Sequence, residues 1–258
     1  MRKSFDELTI ADDFMFCKIM QNEAICKHFL EMVLAGKIGK ITYLSSQNAV
    51  ITGTGAKSVR LDILVKDEAG KSYDIEMQVS NEHNLPKRLR YYQAALDISF
   101  LDKGIHYKAL NDSYIIFVCL FDAIGKGKPL YTFENVCLED RQTLLQDGAK
   151  KVIINAQAFN KAEDKELHGF LEYLKTGAAH TEYTGRIETM IQAVKHNEQA
   201  RKEYRFMSGF EMDAREEGLQ QGIERGIQQG FADGSYQKAL ETAKLMRYEN
   251  LGIDLISK

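Results

Sequence analysis

Between Val59 and Val65 apolar and polar positions largely alternate. Val59, Leu61, Ile63 and Val65 fall on one side, and Arg60, Asp62, Leu64 and Lys66 on the other. This is the two-residue period of a β-strand with one face turned to a core. The period returns with Tyr73, Ile75, Met77 and Val79 against Ser72, Asp74, Glu76 and Gln78. Lys66-Asp67-Glu68-Ala69-Gly70-Lys71 lies between the two runs as a turn signal, with Gly70 free to adopt a positive φ. The pattern predicts a β-hairpin. For its apolar sets to share a face the loop must hold an odd number of residues, which sets Asp62 opposite Glu76 and Arg60 opposite Gln78. A slip of one residue would carry Asp62 to the other face.

A different period precedes the hairpin. Phe14, Met15, Ile19, Ile25, Phe29, Leu30 and Val33 follow Thr9-Ile10-Ala11-Asp12-Asp13 at helical spacing and stop near Gly36, as one helix or as two broken near Asn22. Lys40 to Leu44 reads as a short strand, joined to the hairpin by a polar connection containing Gly53 and Gly55. Beyond the hairpin, Asn84 and Pro86 mark a helix start, as cap and first helical residue. Tyr114 to Phe121 is a nearly continuous β-rich run, suited to a strand buried on both faces, and Lys150 to Asn155 resembles a shorter one. Strands interleaved with helical segments at 7–35, 85–103 and 161–175 predict an α/β sandwich.

From about Gly177 the chain becomes charged and helical, so we divide it into a domain over residues 1–176 and a helical region over 177–258. Gly218, Gly222, Gly226, Gly230 and Gly234 recur at every fourth position, with Leu219, Ile223, Ile227 and Phe231 beside them. Each glycine costs a helix roughly 1 kcal/mol relative to alanine. A seam for a closely approaching second helix explains the run, and it predicts a homo-oligomer formed through the C-terminal helix. A flexible polar linker is the alternative.

Composition narrows the class. The 258 residues are 44% apolar, enough for one substantial core with an appendage. A net charge of −3 means that any nucleic-acid surface must be a local patch. The longest apolar run is far short of the ~20 residues of a membrane span, and the N-terminal stretch lacks the apolar segment of a secretory signal. These features predict a cytoplasmic protein with no membrane partner. Cys17, Cys26, Cys119 and Cys137 are scattered, without a CxxC pair, and read as reduced thiols rather than zinc ligands.

Two features carry chemistry. Directly opposed residues of a hairpin have Cβ atoms about 4.5–5.5 Å apart, so Asp62 and Glu76 repel unless a positive charge intervenes. Arg60 or Lys71 on a solvated face would provide one, and so would a divalent cation. Asp12 and Asp13 suit the start of the first helix through capping and the macrodipole, with a further role open if that helix end faces the hairpin. Lys87, Arg88 and Arg90 sit in the first turns of the helix after Asn84, followed by Tyr91 and Tyr92. Cations oppose the dipole there. Either a phosphate is bound, or the face is solvated with arginine paired to Glu82 or Asp97.

Several ordered segments resemble the Rpn family of recombination-promoting, transposase-like nucleases, within the PD-(D/E)XK nuclease superfamily. They include Ala11-Asp12-Asp13-Phe14-Met15-Phe16, Arg60-Leu61-Asp62, Tyr73-Asp74-Ile75-Glu76-Met77-Gln78, Leu85-Pro86-Lys87-Arg88 with Arg90-Tyr91-Tyr92-Gln93, Ser113 to Cys119, and Tyr131-Thr132-Phe133-Glu134. The resemblance covers roughly residues 5–175. It implies a restriction-endonuclease-like αβα sandwich with a mixed central sheet, and DNA cleavage dependent on Mg²⁺ or Mn²⁺. By motif, Asp62 and Glu76 are the catalytic acids, Gln78 stands where the family's third motif commonly has lysine, and Asp13 is the acid of the first helix. Asp62, Glu76 and the Met77 carbonyl would hold the metal, while Arg60, Lys87, Arg88, Arg90, Tyr91 and Gln93 would meet nucleic acid. The alternative is a catalytically weak or inactive DNA-binding and oligomerising module on the same fold. RNA cleavage would use the same site.

Overall fold

The structure is a computed structural model that describes residues 3–44, 49–50 and 59–248. Two helices open it, α1 (Asp13–Met20) and α2 (Glu23–Leu34). The break falls at Asn22, whose Oδ1 accepts the Ile25 N–H at 3.1 Å and caps the second helix. The strands β1 (Ile41–Tyr43), β2 (Ala49–Val50), β3 (Val59–Arg60), β4 (Ile63–Asp67) and β5 (Ser72–Gln78) follow, then α3 (Leu85–Phe100), β6 (Ser113–Cys119), β7 (Leu130–Phe133) and β8 (Ala149–Asn155). Helices α4 (Lys165–Thr176), α5 (Glu182–Lys195) and α6 (Glu198–Tyr248) complete the chain. The glycines at 53 and 55 lie outside the described residues.

Six strands form one mixed sheet in the order β1-β4-β5-β6-β8-β7. β5, β6 and β8 run parallel, while β1, β4 and β7 are antiparallel to their neighbours. The β4–β5 turn has the odd loop that the alternation requires. Asp67 N–H donates to the Lys71 carbonyl at 2.9 Å, leaving Glu68, Ala69 and Gly70 in the loop with Gly70 at φ 84°. Ile63 pairs with Ile75 and Val65 with Tyr73, so the apolar sets do share a face. The ladder of β4 starts only at Ile63, however. Arg60 belongs instead to a separate two-stranded ribbon, paired with Ala49 rather than facing Gln78 across the hairpin.

β5 is a central strand, hydrogen-bonded to β4 on one side and β6 on the other, and all seven of its residues are buried. Its polar face is therefore not the solvated surface that one local reading of the hairpin anticipates. Helix α3 packs over it through Leu85, Leu89, Ala95 and Leu96, against Leu64, Ile115, Phe117 and Ile153 of the sheet. Helices α1, α2, α4 and α5 pack together as a second layer, with Phe29 against Phe16 and Phe170. The result is the αβα sandwich with a mixed sheet that the sequence predicts.

The first compact unit runs to Glu198, beyond the boundary expected at residue 176. Tyr183, Ile187 and Ile191 of α5 are buried, and the Tyr183 hydroxyl donates to the Ile25 carbonyl at 3.1 Å. A narrow apolar stripe suffices to dock this helix, and a charged average composition conceals it. The second unit, Gln199–Lys258, is built on α6, which stays helical through all five glycines over roughly 75 Å. Among the described residues, no helix is long and apolar enough to cross a membrane.

Candidate active site

Because β4 and β5 pair in the register set by their loop, Asp62 comes opposite Glu76 one residue before the ladder of β4 begins. Two hydrogen bonds tie them across the strands. Asp62 N–H donates to Glu76 Oε1 at 2.8 Å, and Met77 N–H reaches Asp62 Oδ2 at 3.4 Å. The N–H and C=O of one strand residue point to the same edge, so the Met77 carbonyl is directed toward the Asp62 side. Asp74 and Gln78 share the face of Glu76, two residues to either side.

Helix α1 brings a third acid. Oxygens of Asp13 and Asp62 and the Cys17 sulfur all lie within 4.8 Å of one another. The neighbouring Asp12 takes the N-cap position, and its carboxylate turns back to accept from Thr9 N–H at 2.8 Å and Lys3 Nζ at 2.8 Å. Of the two adjacent aspartates, it is Asp13 that approaches the hairpin. The sequence reading takes Cys17 for a reduced thiol; its place one helical turn after Asp13, on the same helix face, is the signal that would have set it beside the acids.

From the opposite side α3 delivers Arg88. Its guanidinium donates to Gln78 Oε1 at 2.5 Å and to the Tyr92 hydroxyl at 2.9 Å, and lies 3.7 Å from Glu76 Oε2. It also stacks over the rings of Tyr92 and Phe117, with its carbon 5.2 and 5.1 Å from their centroids. Burial works against its charge, but the Tyr92 hydroxyl and the Glu76 and Glu82 charges outweigh that and raise its pKa. Gln78 is oriented at both ends, since its Nε2 donates to the Ser80 carbonyl at 2.9 Å. One amide N–H and one lone pair of Gln78 remain.

The electrostatics of this face are unfavourable without a cation. Burial, then the Asp74 and Asp62 charges, push the Glu76 carboxyl well above the usual carboxylate range, and Asp62 N–H and Arg88 only partly compensate. Burial and then Asp62 raise Asp74 in the same way. Asp74 is 0% exposed, and neither of its oxygens has a hydrogen-bond donor among the described residues. Only a proton shared with Glu76 could join the two carboxyls, because two ionised carboxylates are both acceptors.

The remaining sequence-predicted residues separate. Lys87, Arg90 and Tyr91 are exposed on the first turns of α3 and line, with Arg88, a cleft of about 500 Å³. Gln93 turns inward, is buried, and donates to Asp97 at 3.1 Å and to Ser113 at the start of β6. Ser113 pairs with Ser72 and Phe117 with Glu76, so the Ser113 that Gln93 contacts lies four residues, about 13 Å, along the sheet from the Glu76 position. The side chain of Arg60 lies outside the described residues.

No curated protein and no solved structure shows significant similarity to the chain. The profile of the PD-(D/E)XK nuclease family transposases matches residues 11–221, a span holding both acids of the hairpin, the acid of α1 and the arginine of α3. With the restriction-endonuclease-like fold around those residues, the chain belongs to the PD-(D/E)XK nuclease family transposases.

Proposed function

We propose that this protein is a DNA endonuclease dependent on Mg²⁺ or Mn²⁺, hydrolysing phosphodiester bonds at the Asp62–Glu76 face. The observation that carries this reading is the approach of the Asp13 carboxylate of α1 to that of Asp62, with Asp62 tied across the hairpin to Glu76 through its N–H and the Arg88 guanidinium beside Glu76. A hard divalent cation fits the donor set. Among the described residues, the carboxylates of Asp62, Asp74 and Glu76 outnumber the one guanidinium beside them, the oxygens of Asp74 accept from no N–H or hydroxyl, and carboxylate and carbonyl oxygens are the ligands Mg²⁺ and Mn²⁺ prefer. Asp62, Glu76 and the Met77 carbonyl would hold the ion, with Asp13 at the exposed side. When bound, such an ion supplies Lewis-acid polarisation of a phosphate and neutralises its developing charge.

The chain's own groups do the rest. Glu76 is fixed by the Asp62 N–H, which holds one carboxylate oxygen in place as substrate arrives. Arg88 provides the positive charge that Gln78 lacks, at a position set by Gln78 itself. The remaining N–H of the Gln78 amide can orient a water. Lys87, Arg90 and Tyr91, exposed at the start of α3, offer charge and a stacking surface to the DNA backbone and bases. α6 assembles the working oligomer, supported by Ile227, Phe231, Tyr236 and Leu245, which are more than half exposed on it.

A plasmid-nicking assay in Mg²⁺, against EDTA and against Asp62→Ala and Glu76→Ala proteins, tests this reading. Nicking in Mg²⁺ that is lost in the other three arms is expected. Cleavage retained by both variants would sink the proposal. The double engagement of Gln78 by Arg88 and Ser80 favours a second reading, a DNA-binding and oligomerising module without turnover. Salt-sensitive DNA binding lost on replacing Lys87 and Arg90, with no nicking under any condition, would select it.

A further inference from the structure

The reading above gives Asp74 no role of its own, yet among the described residues it is the one carboxylate with both oxygens buried and without an N–H or hydroxyl partner. It lies on β5 two residues before Glu76, on the same face, fully buried, with both carboxylate oxygens lacking a donor. Buried carboxylates ordinarily find two or more N–H or O–H partners, because an unpaired charge in the interior is strongly destabilising. The contrast with Asp67 at the other end of the same hairpin is instructive. Asp67 accepts from Lys71 N–H at 2.9 Å and from the Tyr73 hydroxyl at 2.8 Å. Nor does the nearby cation satisfy Asp74, since the hydrogen bonds of Arg88 go to Gln78 and Tyr92.

A fully buried acid held against another acid, with no N–H or hydroxyl of the described residues donating to it, is retained against folding stability. Its neighbours on the face indicate what offsets the cost. The Asp62 charge acts on it, and the Glu76 carboxyl lies within hydrogen-bonding reach of it. We infer that Asp74 belongs to the cation site: it stands behind Asp62 and Glu76 as a third acidic group on the same buried face, without an N–H or hydroxyl donor among the described residues, and a divalent cation held by that face supplies the positive charge it faces. In that role Asp74 is a positioning residue, acting on the ion through Glu76 and through the charge of the site. Partners of this kind, behind the direct ligands, typically change metal affinity by about 10–100-fold. The inference rests on the metal-dependent reading and can fail separately from it.

Two opposed effects of one substitution test it. Asp74→Asn keeps the shape, removes the charge, and gives Glu76 an amide donor. In EDTA the variant is expected to melt higher than wild type, by roughly 2 °C or more, whereas loss of a merely structural group would lower the melting temperature. With Mn²⁺, followed by calorimetric titration and thermal shift on the full chain, the variant is expected to bind about 10-fold or more weakly. Glu76→Ala identifies the part of the Mn²⁺ response that belongs to this site. Equal Mn²⁺ affinity in wild type and Asp74→Asn would overturn the inference while leaving the metal site standing. An Asp74→Asn protein that fails to fold or melts lower would also overturn it, by showing that the carboxylate is needed for the fold. A wild type that does not respond to Mn²⁺ would overturn both the inference and the reading beneath it.

Discussion

At the scale of single residues, Arg88 bears the largest consequence. A glutamine at position 78 removes an ammonium from β5, and the arginine three residues into α3 places a guanidinium in contact with that same glutamine and 3.7 Å from Glu76. The charge is restored from another element. A guanidinium can bond Gln78 and Tyr92 at once through its planar fork while keeping a face on two aromatic rings, which an ammonium cannot reproduce. Arg88→Ala is expected to lower the nicking rate by roughly 100-fold, the scale of losing one preorganised charge stabiliser. Arg88→Lys should recover only part of that loss. Rates equal to wild type in the lysine variant would mean that charge alone matters and that the fork geometry does not.

At the scale of elements, the site depends on how a strand, a loop and two helix starts are registered. Asp62 faces Glu76 because three residues, Glu68 to Gly70, close the hairpin. Asp13 reaches Asp62 because α1 begins where it does, with Asp12 turned back onto Thr9 and Lys3. The helical layer behind the sheet is equally exacting. Gly169 of α4 lies so close to Thr181, the N-cap of α5, that a Cβ built on it would come 2.3 Å from Thr181 Cγ2. Thr181 also accepts the Thr184 N–H and is not free to swing aside without losing that cap. Gly169→Ala is therefore expected to destabilise the first unit by about 1–3 kcal/mol, measured by urea denaturation. An unchanged midpoint would show that α4 and α5 separate at little cost.

At the scale of the whole molecule, the chain forms two compact units. The first encloses the candidate site. The second is a helix whose large apolar side chains meet solvent: Ile227 at 53%, Phe231 at 77% and Tyr236 at 66% exposure. Beyond the helix's own backbone, no described atom lies within 4 Å of the Cβ position of Gly230 or Gly234, which leaves these two positions open to a second helix. Light scattering coupled to gel filtration is expected to find an oligomer that Phe231→Glu converts to a smaller species. A wild type that is monomeric at tens of micromolar would remove self-association from the proposed function.

Much of this was legible along the chain, and the remainder divides along a physical line. Alternation by two set the strands, their apolar face and the opposition of Asp62 and Glu76, because a strand has one period and a short loop allows one register. Helix starts were local as well: the Asn22 side chain caps α2, and Pro86 stands in the first turn of α3, although Asn84 makes no side-chain cap there and its amide donates to Glu82 instead. What lay beyond local pattern was the company each element keeps. Periodicity cannot tell a hairpin at a sheet edge from one whose second arm is central, so only the pairing of β5 with β6 shows that the polar face is buried under α3. It likewise cannot choose among three basic residues on one helix. Arg88 enters the site and Lys87 and Arg90 stay in solvent because α3 lays that face on the sheet, and Gln93 is carried away from the acids to Ser113. The sequence by itself thus determined which carboxylates oppose one another. Tertiary structure decided that Glu76 is buried and Asp62 half-buried, that Asp74 shares their face with no N–H or hydroxyl donor among the described residues, and that the guanidinium beside Glu76 comes from α3, because burial and charge pairing depend on elements distant in sequence that only the folded packing brings together.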